Sequence, residues 1–200
     1  MKRRDFLAGL LVATAPLALL TRTAVAQAPA PGRAMPAPLY VAMLSRGGQF
    51  LEESSRVAFD RTDMPAVRRF ARAEVLEQVQ LAGNLSANAD VATAAVPGGA
   101  MGMGMMAGAA MMIGGRPMTT DAQRAAMLAQ MQSLQGPQFD AVYVQAQIMG
   151  HEEALTLNSS YSASGDDPAL RRIAARAAGL NRLHLSQLAR IQRGVGGASS

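Results

Sequence analysis

The chain has 200 residues, of which half are hydrophobic and 16% are charged, so one globular domain with an apolar core is expected. It contains no Cys and no Trp, which excludes disulfides and Cys-based sites and favours helices packed through Ala, Leu, Val and Met. The first 26 residues hold four of the 19 basic residues and one of the 14 acidic ones. The remaining 15 bases and 13 acids balance to +2, so no nucleic-acid-binding surface is predicted.

The first 26 residues have the composition of a cleaved export signal. Arg3-Arg4 precedes the apolar run Phe6 to Leu20, and Ala24-Val25-Ala26 forms a small-x-small cleavage site. Two arginines, one further residue and then Phe-Leu resemble the twin-arginine signal, which predicts export of a folded protein to the periplasm. An ordinary secretory signal is the alternative. The mature chain is predicted to lack a transmembrane span, and an association with the outer membrane is left open.

The N-terminal half predicts two long helices. Four prolines within residues 27–38 indicate a disordered lead-in. An apolar and small-residue stripe then predicts a first helix over 39–59, and Asp63 with Pro65 predicts the start of a second helix that runs to about Ala89. Residues 90–119 are rich in Met and Gly and predict a flexible loop, since glycine at this density opposes a stable helix.

The C-terminal half predicts a short helix and two long ones. Thr120 is a predicted N-cap for a helix over 121–134, and Gly136-Pro137 ends that helix. A central helix follows over 138–161, and a last helix begins after Asp166 and ends at about Arg193, before a disordered tail over 194–200. The predicted fold class is therefore all-α. We expect an up-and-down four-helix bundle over 39–193, with the Met/Gly loop between helices two and three.

Polar residues fall on the predicted inward faces of three helices. His151 lies in an apolar row of the central helix, His184 lies on the inward stripe of the last helix, and Glu74 lies on the apolar side of helix two. A buried carboxylate needs a partner. One hypothesis is a divalent metal site, and the alternative is that the buried histidines hydrogen-bond Gln78, Glu74 or Tyr143 across the core. The metal site would draw on His151, His184, Glu153, Glu74 and Gln78.

The loop carries a second candidate metal site. Met101, Met103, Met105 and Met106 lie within six residues of a segment that has no charge between Asp90 and Arg116. Thioethers bind Cu(I) in preference to harder ions, so this cluster predicts copper capture in the periplasm. The alternative is an apolar loop in which Met serves only as an adaptable side chain. No catalytic residues and no organic cofactor site are predicted, because no nucleophile motif and no phosphate-binding glycine loop occur.

Several short patterns occur in a characteristic order. They are Gly47-Gly48 with Glu53-Ser54-Ser55, Pro65 to Ala71, Phe139-Asp140 to Gly150-His151, Gly165 to Leu170, and His184-Leu185. Together they resemble the exported bacterial family catalogued as domain of unknown function 4142, often labelled a predicted outer membrane protein. The resemblance covers about residues 40–192 and implies a ferritin-like four-helix bundle of unknown, non-catalytic role, by analogy in envelope stress. A ferritin-like di-iron site would need Glu-x-x-His pairs, but Ile148 and Asn181 stand three residues before the histidines.

Overall fold

The computed structural model describes residues 34–93 and 112–198. Within those ranges the chain forms five helices and one small hairpin, and the predicted all-α bundle is confirmed. None of the helices in the described ranges is long and apolar enough to cross a membrane. The elements are α1 (Ala37–Arg61), α2 (Pro65–Thr93), β1 (Met112–Ile113), β2 (Arg116–Pro117), α3 (Asp121–Ser133), α4 (Gly136–Ser164) and α5 (Pro168–Ala198).

The helix ends follow the local sequence. α1 carries Pro38 in its first turn, where a missing N–H costs no hydrogen bond. The predicted cap at Thr120 is confirmed, because its side chain accepts from the N–H of Gln123 while the Gln123 side chain accepts from the N–H of Thr120. At α5 the cap is Asp167 rather than the predicted Asp166, since Asp167 Oδ1 accepts from the N–H of Leu170 at 2.7 Å.

Contacts between helices set their directions. Along α1 and α4, Tyr40 bonds Asn158 and Ser55 bonds Tyr143, so the two helices run antiparallel. The turns at 62–64 and 165–167 make α1–α2 and α4–α5 antiparallel neighbours too. α2 and α5 are also antiparallel, because Met64, just before α2, lies against Gly194, and Glu74 lies against His184. It follows that α2 and α4 run in the same direction, so the chain must return along the bundle between them. The helix order therefore differs from the predicted up-and-down arrangement at this step.

The C-terminal part of the connection between α2 and α4 forms the β1–β2 hairpin and α3. Gly114 and Gly115, both at positive φ, form the two-residue turn between β1 and β2, as glycine pairs do in tight hairpins. α3 then runs beside α1, from a contact between Asp121 and Arg46 to a bond from Arg61 to the carbonyl of Gln132. The predicted flexible loop over 90–119 is thus too long at both ends, because α2 continues to Thr93 and the hairpin packs Ile113 into the core. Residues 94–111 lie outside the described residues.

The core divides into two apolar clusters, one towards each end of the bundle. The first cluster contains Phe50, Leu51, Ala58, Val67, Phe70, Ala71, Met131, Phe139, Tyr143, Val144, Ala146, Leu188 and Val195. The second contains Met35, Ala37, Tyr40, Leu44, Leu85, Ile113, Met118, Leu157, Tyr161, Leu170 and Ala174. Two predicted bundle limits are therefore wrong. The bundle reaches beyond 39–193 because Met35 and Val195 are buried, and α5 continues through most of the predicted tail.

Candidate metal centre

A polar layer crosses the bundle between the two apolar clusters. On α2 it falls between Ala71 and Leu85, on α4 between Ala146 and Leu157, and on α5 between Ala174 and Leu188. Its innermost members are Glu74, His151 and His184, all buried. Because three different helices each place one ligand-type side chain at this level, the layer is assembled only by the tertiary fold.

The three side chains meet at one point. Nε2 of His151 lies 2.8 Å from Nδ1 of His184. Oε2 of Glu74 lies 3.4 Å from the former and 3.2 Å from the latter. Oε2 nevertheless has no hydrogen-bond partner of normal geometry among the described residues. A buried carboxylate oxygen without a hydrogen bond is costly, so this oxygen needs a cation close to it.

The outer partners of the two imidazoles assign their tautomers. Nδ1 of His151 lies 2.8 Å from the carbonyl oxygen of Gln147, which can only accept. Nε2 of His184 lies 3.0 Å from Oε2 of Glu77, which as a carboxylate oxygen also only accepts. Each of these nitrogens therefore carries the hydrogen, and in the neutral rings the other two nitrogens present lone pairs. Two lone pairs and a carboxylate oxygen then face each other, an arrangement that a proton or a metal ion must hold together.

Electrostatics within the layer favour negative charge on the carboxylate and positive charge beside it. Burial by itself would raise the pKa of the Glu74 carboxyl, but the neighbouring His151, His184 and Gln78 outweigh it and hold that pKa well below its usual range. Burial would lower the pKa of His184, but Glu74 and then Glu77 outweigh it and raise that pKa. Without a metal ion, a proton on His184 therefore supplies the cation that the layer needs.

Gln78 and Gly48 position the carboxylate. Gln78, one turn after Glu74, donates from Nε2 to Oε1 of Glu74 at 2.7 Å and so orients the free Oε2 towards the histidines. A Cβ added to Gly48 would lie 2.7 Å from Oε1 of Gln78. At Gly48, α1 therefore leaves room for the Gln78 side chain.

The distances in the layer fit one bound metal ion. An ion about 2.1 Å from each N or O ligand sets neighbouring ligand atoms ~3.4 Å apart in a tetrahedron and ~3.0 Å apart in an octahedron. The three observed separations of 2.8, 3.2 and 3.4 Å lie around these values. Both histidines also have the outer partner, a carbonyl or a carboxylate, that metal-bound imidazoles usually have. Glu74, His151 and His184 can therefore hold an ion after only a small separation of the two imidazole nitrogens.

The structure separates Glu153, another predicted ligand, from this centre. Glu153 lies on a different face of α4, where its Oε2 lies 3.0 Å from Nη2 of Arg124 and its Oε1 accepts from the N–H of Thr119. Tyr143 does not reach the histidines, since its hydroxyl lies 3.0 Å from Oγ of Ser55. The residues Met101, Met103, Met105 and Met106 lie outside the described residues, and their proposed copper site stays a prediction.

Sequence reasoning missed Glu77. Its signal was the spacing, because Glu77 is three residues after Glu74 and so lies on nearly the same helix face. The side chain is 34% exposed, whereas Glu74 is buried. Its position behind His184 could not be derived without the register of α2 against α5.

A cavity of about 440 Å³ adjoins the layer. Of the residues just described, Glu77, Gln78 and His184 line it, together with Gly47 and Gly48 of α1. The ligand atoms of Glu74 and His151 lie behind this wall. The buried centre is therefore separated from the cavity only by side chains of α2 and α5.

The fold is shared with three solved structures of low sequence identity. A DUF305 protein from Streptomyces coelicolor is 23% identical, with a TM-score of 0.61 over 80% of this chain and 94% of the other. CopM in the Cu(II)-bound form is 14% identical, with a TM-score of 0.60 over 80% and 98%. A DUF305 fragment from Deinococcus radiodurans is 17% identical, with a TM-score of 0.58 over 80% and 97%.

No protein with a curated description matches this sequence. A family model does match residues 22–191, which is most of the chain, and its description is "Domain of unknown function (DUF4142)". The resemblance found in the sequence patterns is thereby confirmed. The chain belongs to the DUF4142 family.

Proposed function

We propose that this protein is a periplasmic metal-binding protein that holds one divalent transition-metal ion between Glu74, His151 and His184. The observation that carries the proposal is the convergence of two imidazole lone pairs and an otherwise unbonded carboxylate oxygen within 3.4 Å. The role is binding rather than catalysis, because Glu74 and His151 are no more than 1% exposed, which keeps a substrate away from the ion.

The donor set favours Cu(II) among the common divalent ions. Two imidazoles and one carboxylate suit Cu(II), Zn(II) and Fe(II), and the affinity of such a site normally rises along the first-row series to copper. CopM, which shares the fold, is known with Cu(II) bound. The predicted order of affinity is therefore Cu(II) above Zn(II), with Fe(II) weakest.

Export to the periplasm is part of the proposal and is supported by the sequence of residues 1–26. The twin-arginine pattern at Arg3-Arg4 would deliver the protein already folded. We expect an Arg3→Lys, Arg4→Lys double variant to remain in the cytoplasm, as measured by cell fractionation. Normal export of that variant would instead indicate the ordinary secretory route.

The test of metal binding is elemental analysis and competitive titration of the mature chain. We expect one Cu(II) per chain at the tight site, and loss of that binding in His184→Gln. Glu153→Gln is the matched control, because it neutralises a partly buried carboxylate that is bonded to Arg124 instead of the histidines. Equal copper binding by the His184 variant would overturn the assignment of the site.

A second candidate function, Cu(I) capture by the Met cluster, is supported by the sequence alone. Its test is Cu(I) titration of a quadruple Met→Leu variant at 101, 103, 105 and 106, which keeps the apolar character and removes the sulfur ligands. A deletion should span only 97–111, since β1 begins at Met112 and the hairpin buries Ile113. Unchanged Cu(I) affinity in the Leu variant would reject this candidate.

A further inference from the structure

His184 presents both ring nitrogens to carboxylates. Its Nδ1 faces the buried centre, while its Nε2 lies 3.0 Å from Oε2 of Glu77 on the cavity side. Oε2 of Glu77 has no hydrogen-bond partner of normal geometry among the residues that the structure describes, and neither does Nδ2 of Asn181. Asn181 is only 8% exposed and lines the same cavity. Two polar atoms without a well-aligned hydrogen bond thus belong to residues that line the same cavity as His184.

We propose that Glu77, Nε2 of His184 and the side-chain amide of Asn181 form an outer, weaker site for the same metal ion, on the route by which the ion passes from the cavity to the buried centre. This inference rests on the proposed function. It assigns to the cavity the entry and release of the ion, and to Glu77 the first capture.

The chemistry of the outer group suits transient binding. The separation of 3.0 Å between Oε2 of Glu77 and Nε2 of His184 equals the spacing of neighbouring ligands around an octahedral ion, ~3.0 Å. The oxygen and nitrogen of an amide such as Asn181 are distinguished only by their bonding, so a flip presents its oxygen as a third ligand. Because Nε2 must lose its proton to bind here, and because Glu77 is partly solvated, the outer site is weaker than the inner one.

The cavity is the route because it adjoins the layer at His184, whereas the layer is closed towards the first apolar cluster. Phe70 packs its ring edge-on against both histidines, with centroids 6.1 Å from His151 and 5.5 Å from His184, and closes the layer towards the first apolar cluster. On the cavity side, Glu77, Gln78 and His184 line the wall between the cavity and the centre. Passage of the ion inward would exchange Nε2 of His184 for Nδ1 as its ligand, with the ring proton held on the nitrogen that is not bound.

The first test is the Glu77→Gln variant of the mature chain, loaded with Cu(II) in stopped-flow experiments. Gln keeps an oxygen that can accept from Nε2 of His184, so the ring orientation is retained, but the anionic ligand is lost. We expect association to slow by about tenfold, in line with the effect of a charge that focuses an ion at a cleft. If Glu77 only orients His184, association would be unchanged and the affinity would fall about 10–100-fold, which would overturn the inference.

The second test closes the cavity from the opposite wall. Gly47 lines the cavity and has open space around an added Cβ, so Gly47→Leu is expected to narrow the entrance without disturbing α1. Gly83→Leu is the matched control, because Gly83 is also helical and open but does not line the cavity. We expect slower association and slower release in Gly47→Leu, with equal affinity, and unchanged rates in the control.

The two levels of the account fail differently. If the unmodified protein binds no Cu(II) with buried ligands, the proposed function itself is wrong. If it binds one tight Cu(II) but neither Glu77→Gln nor Gly47→Leu changes the rates, the buried centre stands and the entry route is wrong.

Discussion

Replacing Glu74 by Gln tests the metal centre while preserving the size of the side chain. The free energy of metal binding at a four-ligand structural zinc site is about 10–16 kcal/mol, so each ligand contributes on the order of 3 kcal/mol. Loss of one ligand should therefore weaken metal binding on the order of 100-fold. An ion at 100 times its Kd stabilises the fold by ~2.7 kcal/mol, whereas at the weakened Kd the same concentration gives only ~0.4 kcal/mol. Copper should therefore stabilise Glu74→Gln by about 2.3 kcal/mol less than it stabilises the unmodified protein. For a chain of this size, the copper-induced rise in Tm is then smaller by about 5–9 °C.

The assay is thermal unfolding followed by helical circular dichroism, with and without Cu(II). The metal-free Glu74→Gln protein should itself lose about 1–3 kcal/mol, because its amide cannot replace the carboxylate beside a protonated His184. Glu153→Gln provides the comparison, since it should lose stability from its broken contact with Arg124 but keep the full copper-induced shift. A full copper-induced shift in Glu74→Gln would refute the reasoning.

Two further predictions concern the metal-free layer and the helix contact beside it. Because the pKa of His184 is raised in the folded state, its protonation stabilises the metal-free fold below about pH 6.5, and this contribution is lost as the pH rises through the folded-state pKa. The pKa of Glu74 is lowered, so its ionisation stabilises the fold above about pH 4.3. The metal-free stability should therefore fall from pH 6 to 8 in denaturant titrations while copper affinity rises, and parallel trends would contradict this account. Gly150→Ala should cost about 1–3 kcal/mol, because its Cβ would lie 2.6 Å from Cδ2 of Leu51. The control is Gly179→Ala, where the added Cβ meets nothing within 4 Å, and this variant should be more stable by up to about 1 kcal/mol. If the two variants changed the unfolding free energy equally in denaturant titrations, the α1–α4 contact at Gly150 would be wrong.

The helices and their inward faces could be predicted from the sequence because each depends on local patterns. Periodic apolar residues placed His184 on the inward stripe of the last helix and Glu74 on the apolar side of helix two, and both are buried. The caps at Thr120 and near Asp167 also follow from local residue types. The local pattern could not predict which inward polar residues of different helices lie at the same height, that is, at the same level along the bundle axis.

Height depends on helix direction and register. The parallel run of α2 and α4 follows from the long return between them, and nothing in the Met/Gly composition predicts where that return attaches. Glu153 was a predicted ligand, but it is two residues after His151, about 200° around the helix. It therefore meets Arg124 and Thr119 of the returning segment instead.

The hairpin was missed although its signal is present. Gly114-Gly115 stands between two short segments, and a glycine pair is the usual centre of a two-residue hairpin turn. The surrounding glycines hid it, because the whole segment has the composition of a loop. Ile113 and Met118 pack this segment onto the bundle, since both are buried in the second apolar cluster.

The most direct test of the central claim is pulsed electron paramagnetic resonance of the mature protein loaded with one Cu(II). The account predicts nitrogen couplings from two protein imidazoles, reduced to one in His184→Gln and unchanged in Glu153→Gln. A Cu(II) signal without imidazole couplings, or with couplings that survive the loss of His184, would contradict the assignment of the ion to Glu74, His151 and His184.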